Sequence, residues 1–283
     1  MNIHISALDY ELLDSGLGFR YERFGRVRLV RPEPRATWKT REPFSLWQPH
    51  AEASKQDGGS YSWECCLPFD DPWDISFGEF VFSLRLSQSK HIGIFPEQEA
   101  NWHWLSETLN KQMQGKALKV LNLFGYTGVS TVLMASSGAL VTHVDASRSA
   151  INRAKENCTK NQIPDNQVRF VTDDAMDFVR REIRRGNRYD AIILDPPPFG
   201  RSKKGSFSWE SQFEELLKLC KEVLVERPLF FLLNVYAVPV SGQELEKLVG
   251  KLFRDRKVEV GSLGLQEKKR AQTLELSHFV RVT

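Results

Sequence analysis

The chain has 283 residues, 41% of them hydrophobic and 27% charged, with a formal net charge of only +3. Its length gives one large or two modest domains, and its composition suits a globular core. So mild a charge is no argument for nucleic acid by itself. Cys65, Cys66, Cys158 and Cys220 have the spacing of neither a zinc site nor a disulfide framework, so no metal is expected. Cys158 and Cys220 fall in helical patterns and read as small core residues; Cys65 and Cys66 read as surface thiols or strand residues. Leu229 to Val240, the longest apolar run, is far short of the roughly 20 residues that cross a bilayer. Met1-Asn2-Ile3-His4 opens no signal peptide. A cytoplasmic protein with no membrane partner is expected, and nothing bears on its oligomeric state.

Residues 1–90 are rich in tryptophan, arginine and proline and read as a small β domain, with 91–283 as a separate unit. Alternation in Arg26-Val27-Arg28-Leu29 puts the apolar pair on one sheet face and the arginines on the other. Phe80, Phe82, Leu84 and Leu86 form a second apolar face. Pro32, Pro34 and the polar stretch Ala53 to Ser60 mark loops, and the whole is predicted to be antiparallel. Pro96 then opens a helix, with Glu97 in its first turn and Trp102, Leu105 and Leu109 on its apolar face.

From Leu118 onward strand and helix patterns alternate, which predicts an α/β sheet covered on both faces. Val120, Leu121 and Leu123 form a buried strand, followed by Phe124-Gly125-Tyr126-Thr127-Gly128. Gly125 and Gly128 allow a sharp turn and close approach of a ligand. Thr127 and the amides after it can hold an anionic group at a helix start. A G-x-G-x-x-G is absent, so a dinucleotide is a poor fit. Asp145 ends the next strand, Leu140 to Val144, about 20 residues after Gly125, as a ribose-binding acid does. Asp174 ends the third strand and opens a helix; it can accept from an adenine amine, serve as an N-cap, or both, with Asp173 as a competitor. Asp195 ends the apolar run Ala191 to Leu194 and begins Asp195-Pro196-Pro197-Pro198-Phe199. The prolines fix φ and give up their donors, leaving a stiff loop of carbonyl acceptors that ends in an aromatic ring. Asn234 lies near the end of the fifth strand, and an edge hairpin formed by Val258–Val260 and Leu274–Val280 closes the sheet. Ligands bind beyond the carboxyl ends of such strands, where Asp145, Asp174 and Asp195 all fall.

Asn122 to Gly128, Val144-Asp145-Ala146-Ser147, Asp173 to Phe178 and Asp195 to Phe199 together resemble class I S-adenosylmethionine (SAM)-dependent methyltransferases. More narrowly, they resemble the ribosomal large-subunit RNA methyltransferase I family and its guanine-methylating relatives. Leu13 to Gly16 and Arg26 to Glu33 resemble an uncharacterised branch of that group. The resemblance implies a Rossmann-like class I methyltransferase sheet with a small N-terminal β domain. It implies a SAM site made by Gln98, Phe124, Gly125, Tyr126, Thr127, Gly128, Asp145, Ala146, Ser147, Asp174, Ala175 and Asp195. Gln98 comes from His91 to Gln98, which resembles a segment lying against the cofactor. The resemblance also implies an acceptor site of Asp195, Pro196, Pro197, Phe199 and Asn234, with Phe199 stacking on a base.

Two departures matter. Members that make 5-methylcytosine use a cysteine near the end of the fifth strand, where this chain reads Leu232-Leu233-Asn234-Val235-Tyr236. Pro198 stands where a lysine is commoner. Attack at pyrimidine C5 needs a thiol adduct, so the expected acceptor is a base nitrogen. Three cation groups suit RNA phosphates: Arg201, Lys203 and Lys204; Lys268, Lys269 and Arg270, expected on the same rim; and Arg20, Arg23, Arg26, Arg28, Arg31, Arg35, Lys39 and Arg41. The expected function is RNA base methylation, with rRNA as the favoured substrate. A methyltransferase of protein or small molecules is the alternative, and a non-catalytic SAM- and RNA-binding module is a third reading.

Overall fold

The computed structural model describes residues 7–112, 118–202, 205–270 and 272–283. The chain divides into two compact units, one of the described residues up to Glu99 with Gly264–Glu275, the other of Ala100–Leu263 with Leu276–Thr283.

In the first unit β1 (Tyr10–Gly16), β2 (Phe19–Phe24), β3 (Val27–Pro32), β4 (Ala51–Lys55) and β5 (Tyr61–Cys65) form one sheet in chain order. The sheet is not wholly antiparallel as predicted, because β3 and β4 run parallel. The long segment 33–50 between them supplies the crossover that a parallel pair requires. β4 also takes in Ala53 to Lys55, expected as loop, because Ala53 pairs with Trp63 and Lys55 with Tyr61. Cross-strand packing of this kind outweighs weak intrinsic preference. β6 (Trp73–Phe77) and β7 (Phe80–Leu84) make a separate hairpin, and Leu86 falls outside it.

Not all of the arginines of β2 and β3 form the solvated face that alternation predicts. Arg20 and Arg31 are buried around Glu22, which is fully buried. Arg31 Nε and Nη2 donate to the two Glu22 carboxylate oxygens at 2.7 and 2.9 Å. Arg20 Nε lies 3.2 Å from Glu22, and the Tyr10 hydroxyl donates to it at 2.9 Å. Burial here is possible only because each charge has an opposite partner.

The second unit opens with α1 (Glu99–Gln112) and continues β8 (Lys119–Leu123), α2 (Val129–Ser136), β9 (Leu140–Asp145), α3 (Arg148–Lys160), β10 (Val168–Thr172), α4 (Ala175–Arg184) and β11 (Ala191–Leu194). A short hairpin, β12 (Phe199–Ser202) with β13 (Gly205–Ser208), follows, then α5 (Trp209–Val223), β14 (Phe230–Tyr236), α6 (Gly242–Leu252), β15 (Val258–Gln266) and β16 (Thr273–Val282). The seven-stranded sheet has the order β10-β9-β8-β11-β14-β16-β15. β10, β9, β8, β11 and β14 are parallel, and β16 is antiparallel to β14. The order reverses at β8, so a crevice opens beyond the carboxyl ends of β8 and β11. Leu121, Leu123, Ile192, Leu194, Phe231 and Leu233 pack with Phe178, Leu217 and Val249 of α4, α5 and α6 in one core.

Candidate cofactor and acceptor site

Strand register brings the predicted residues to one line. Leu123, Val144, Leu194 and Leu233 are paired neighbours across four strands. One residue further along stand Asp145, Phe124, Asp195 and Asn234, with Thr172 paired to Asp145. Asp174, two residues beyond Thr172, caps α4. Asp145, Asp174 and Asp195 therefore sit at the same edge of the sheet, on the crevice side.

The turn after β8 is built differently from its expected form. The left-handed residues are Phe124 (φ 57°), Tyr126 (φ 49°) and Gly128 (φ 81°). Gly125 is needed for another reason: a Cβ there would lie 2.5 Å from the His143 ring. His143 is fully buried, and its Nδ1 is 2.8 Å from the Thr131 hydroxyl, to which Asn122 Nδ2 donates at 2.9 Å. Burial lowers the His143 pKa from 6.5 to about 4, against an opposing backbone hydrogen bond with Tyr126, so the ring is neutral near pH 7. A Cβ on Gly128 would meet Ala154 of α3 at 2.9 Å. Asn157 of α3 donates to the Thr127 carbonyl at 2.8 Å. Thr127 is buried, and Gly128, not Thr127, is the N-cap of α2 with no side chain on its first amides. The two glycines thus let the turn pack closely on β9 and α3.

Asp145 closes the turn. Its oxygens accept from the Tyr126 amide at 2.9 Å and the Ser147 amide at 2.8 Å. Burial raises its pKa and these two bonds lower it. Each oxygen keeps a further lone pair for a hydroxyl. Ala146 is exposed, and Ser147 caps α3 through the Ala150 amide. Asp174 accepts from Met176 and Asp177 through one oxygen, Oδ1, while Ala175 is buried behind it. Asp173 is ion-paired with Arg181, which separates the two competing acids. Gln98 belongs to the first unit and closes a short turn, its amide donating to the Phe95 carbonyl at 2.9 Å.

Pro196 is buried, Pro197 is half-buried, and Phe199 is 65% exposed at the start of β12. The Trp209 amide donates to the Pro198 carbonyl at 3.2 Å. Phe207 of β13 is buried against Phe124, ring centroids 5.5 Å apart. The hairpin was not visible in the sequence. Asn234 is 4% exposed, and its Oδ1 accepts from Asn101 Nδ2 at 2.7 Å. Asn101 was missed altogether: it lies 133 residues from its partner, and no local pattern marks it.

The cation groups are regrouped. Lys203 and Lys204 lie outside the described residues. Arg20 and Arg31 are buried as above. Arg23 pairs with Asp9, Arg26 with Asp70, Arg35 with Glu33 and Arg41 with Glu42. Arg270 is committed to Glu267 and to the Lys39 and Ser15 carbonyls. Lys268 and Lys269 belong to the first unit, where they line a cavity of about 330 Å³ with Arg28, Arg41 and the stacked rings of Tyr21 and Trp47. Arg28 and Lys269 pair with no acid among the described residues.

A parallel sheet with this switch point, a glycine turn and a row of acids at its carboxyl edge define a nucleoside-binding Rossmann-like enzyme. The family described as S-adenosylmethionine-dependent methyltransferase matches residues 51–251; the chain belongs to it, and its cofactor is SAM. The SAM-dependent methyltransferase from Agrobacterium tumefaciens is similar over 97% of this chain and 90% of that one, at 36% identity and a TM-score of 0.91. SMU.776, solved with S-adenosylhomocysteine (SAH), shares the fold at 20% identity and a TM-score of 0.72, over 94% of this chain and 72% of that one. Ribosomal RNA large subunit methyltransferase K/L of Colwellia psychrerythraea is 37% identical over 133 residues, 47% of this chain and 17% of that protein. Its counterpart in Shewanella baltica is 35% identical over 148 residues, 52% of this chain and 20% of that protein. The chain thus matches about a fifth of the length of these curated relatives. Among the described residues no group of His, Cys, Asp and Glu is set to hold a metal, and no helix is long and apolar enough to cross a membrane.

Proposed function

We propose that this methyltransferase acts on a base nitrogen in RNA, with ribosomal RNA as its substrate. The observation that carries the reading is the juxtaposition of Asp195 and Asn234 on neighbouring strands, followed by the proline loop and an exposed Phe199. SAM supplies an activated methyl group when bound. The turn Phe124 to Gly128 would line its amino-acid end, Asp145 would hold its ribose and Asp174 its adenine. Asp174 caps α4 with Oδ1 and keeps its second oxygen for that contact.

The protein's remaining task is orientation of the acceptor lone pair. The Asp195 carboxylate and Pro196 carbonyl would accept from the base amine, and Phe199 would stack on the base. A cysteine route to C5 lacks its nucleophile within the second unit: its two cysteines, Cys158 and Cys220, are buried in α3 and α5 with pKa values pushed up by burial. Within the group that the motifs resemble, this favours the guanine-methylating relatives over the methyltransferase I family itself. The ribosomal names of the relatives support RNA, as does the first-unit cavity, whose five cations outnumber its acids Glu11, Asp14 and Glu42.

The test is transfer of tritiated methyl from SAM to total RNA, total protein and small metabolites, followed by nucleoside mass analysis. Label is expected in an N-methylated nucleoside of rRNA. Phe199→Ala should lower transfer to RNA about tenfold or more, as loss of a stacking contact worth about 1–3 kcal/mol would do, and leave SAH binding unchanged. Label in protein or metabolites alone, or 5-methylcytosine as product, would overturn the reading.

A further inference from the structure

The Asn234 carboxamide is held by a chain of hydrogen bonds whose polarity has only one chemical solution. Arg281 can only donate. Its Nε and Nη2 meet the same atom, Asn101 Oδ1, at 3.0 and 2.8 Å. The guanidinium is fixed by the Ala100 carbonyl at 3.1 Å, by Glu259 at 3.3 Å, and by the rings of Phe279 and Trp104, 4.2 and 5.0 Å from Cζ. Asn101 is fully buried. Its oxygen must face the arginine, so its Nδ2 donates, and the Asn234 atom 2.7 Å away must be the oxygen. Amide orientation is ordinarily ambiguous; here the donor-only arginine removes the ambiguity. The amino group of Asn234 is left over. It bonds to none of the described residues and is not among the side-chain atoms sealed from solvent without a partner.

We infer that Arg281 and Asn101 are positioning residues that present the Asn234 amino group to the acceptor base, and that Asn234 with Asp195 reads a base edge where an N–H donor adjoins a lone pair. The inference rests on the proposed action on a base. Asp195 and Asn234 each follow the Leu194–Leu233 pair by one residue, in neighbouring parallel segments. A carboxylate only accepts, and an amino group so held only donates. Guanine N2 beside N3, adenine N6 beside N1 and cytosine N4 beside N3 are complementary to that pair. Uracil presents N3–H beside O4, the same donor–acceptor order, so the pair reads an edge and not one base. The relay fixes which atom of Asn234 the base meets, a donor and not a carbonyl.

Asn101→Asp reverses the relay without removing it. One carboxylate oxygen still accepts from Arg281, and the other confronts Asn234, whose amide must turn over to donate. The outward atom becomes a carbonyl. Two measurements on the full chain with SAH decide the matter. With selective 15N-asparagine labelling, the Asn101 amino protons should exchange slowly and those of Asn234 fast in the wild type. Asn234 should become protected in Asn101→Asp. With total RNA as substrate, Asn101→Asp and Asn234→Asp should each lower kcat/KM about tenfold or more, with SAH affinity within about twofold of wild type. Protected Asn234 protons in the wild type, or undiminished transfer by Asn101→Asp, would overturn the inference. Wild-type enzyme that labels no RNA would instead remove the RNA reading, while amide exchange still decides the polarity of the relay.

Discussion

Gly125 and His143 show how a single missing side chain shapes this site. A methyl at position 125 would sit inside contact distance of a fully buried ring, and that ring is fixed by Thr131. Gly125→Ala must therefore displace either the turn or β9. Overpacking of this kind costs about 1–3 kcal/mol, and SAH affinity measured by calorimetry should fall about tenfold or more. His143 also sets an acid limit. Its pKa is about 4 in the fold against 6.5 in the unfolded chain, so the unfolded state binds the proton more tightly. The stabilisation is complete above pH 6.5 and is lost as pH falls toward 4. It is on the order of 3 kcal/mol for a shift of this size. His91, lowered to about 3 by burial and by Arg31, Lys90 and Arg20, acts in the same direction. Thermal melts from pH 7 to pH 4 should show the loss, and His143→Gln should reduce it.

At the scale of elements, β2 and β3 depend on one carboxylate. Glu22 neutralises Arg20 and Arg31, and its pKa is lowered by those two cations although burial alone raises it. Its removal would leave two arginines buried without compensation. Breaking a buried pair typically costs about 3–5 kcal/mol. Glu22→Ala should lower the melting temperature of the first unit sharply, whereas the exposed pair Arg26–Asp70 should be removable by Arg26→Ala with little change. The alternation of β3 is only half realised, since Val30 and Arg31 are both buried. Period-two patterning predicts which side chains share a face. It cannot tell whether a partner from β2 waits on the other one.

Across the molecule, cofactor and RNA should respond differently to salt. In the proposed site SAM lies against the Phe124 to Gly128 turn and the half-buried Asp145, contacts that ions screen weakly. RNA held by Arg28, Lys269 and their neighbours would release counterions, so affinity should fall steeply between 50 and 200 mM salt, on the order of tenfold for each pair of phosphate contacts. Filter binding with total rRNA, beside SAH calorimetry over the same salt range, checks this. A flat salt response for RNA would remove the cavity from the substrate path. Arg28→Ala with Lys269→Ala should reduce the salt slope without touching SAH binding.

The alternation of β8 to β14 with helices, the glycine turn, and the three acids at strand ends were legible in the residue order. Each is a local matter: hydrophobic period, φ freedom and spacing along one chain. The same holds for the N-caps at Ser147, Asp174 and Ser241, where a short polar side chain precedes an apolar run. What residue order left open was decided by distance in sequence. Residue order does not mark that Arg181 folds back to pair with Asp173. Arg20 and Arg31 became structural rather than solvated because β2 lies beside β3. The orientation of Asn234 depends on residues 133 and, through Asn101, 180 positions apart. Local chemistry chose the elements and their ligand type; partner choice for buried polar groups is a long-range property, and only the packed chain could make it.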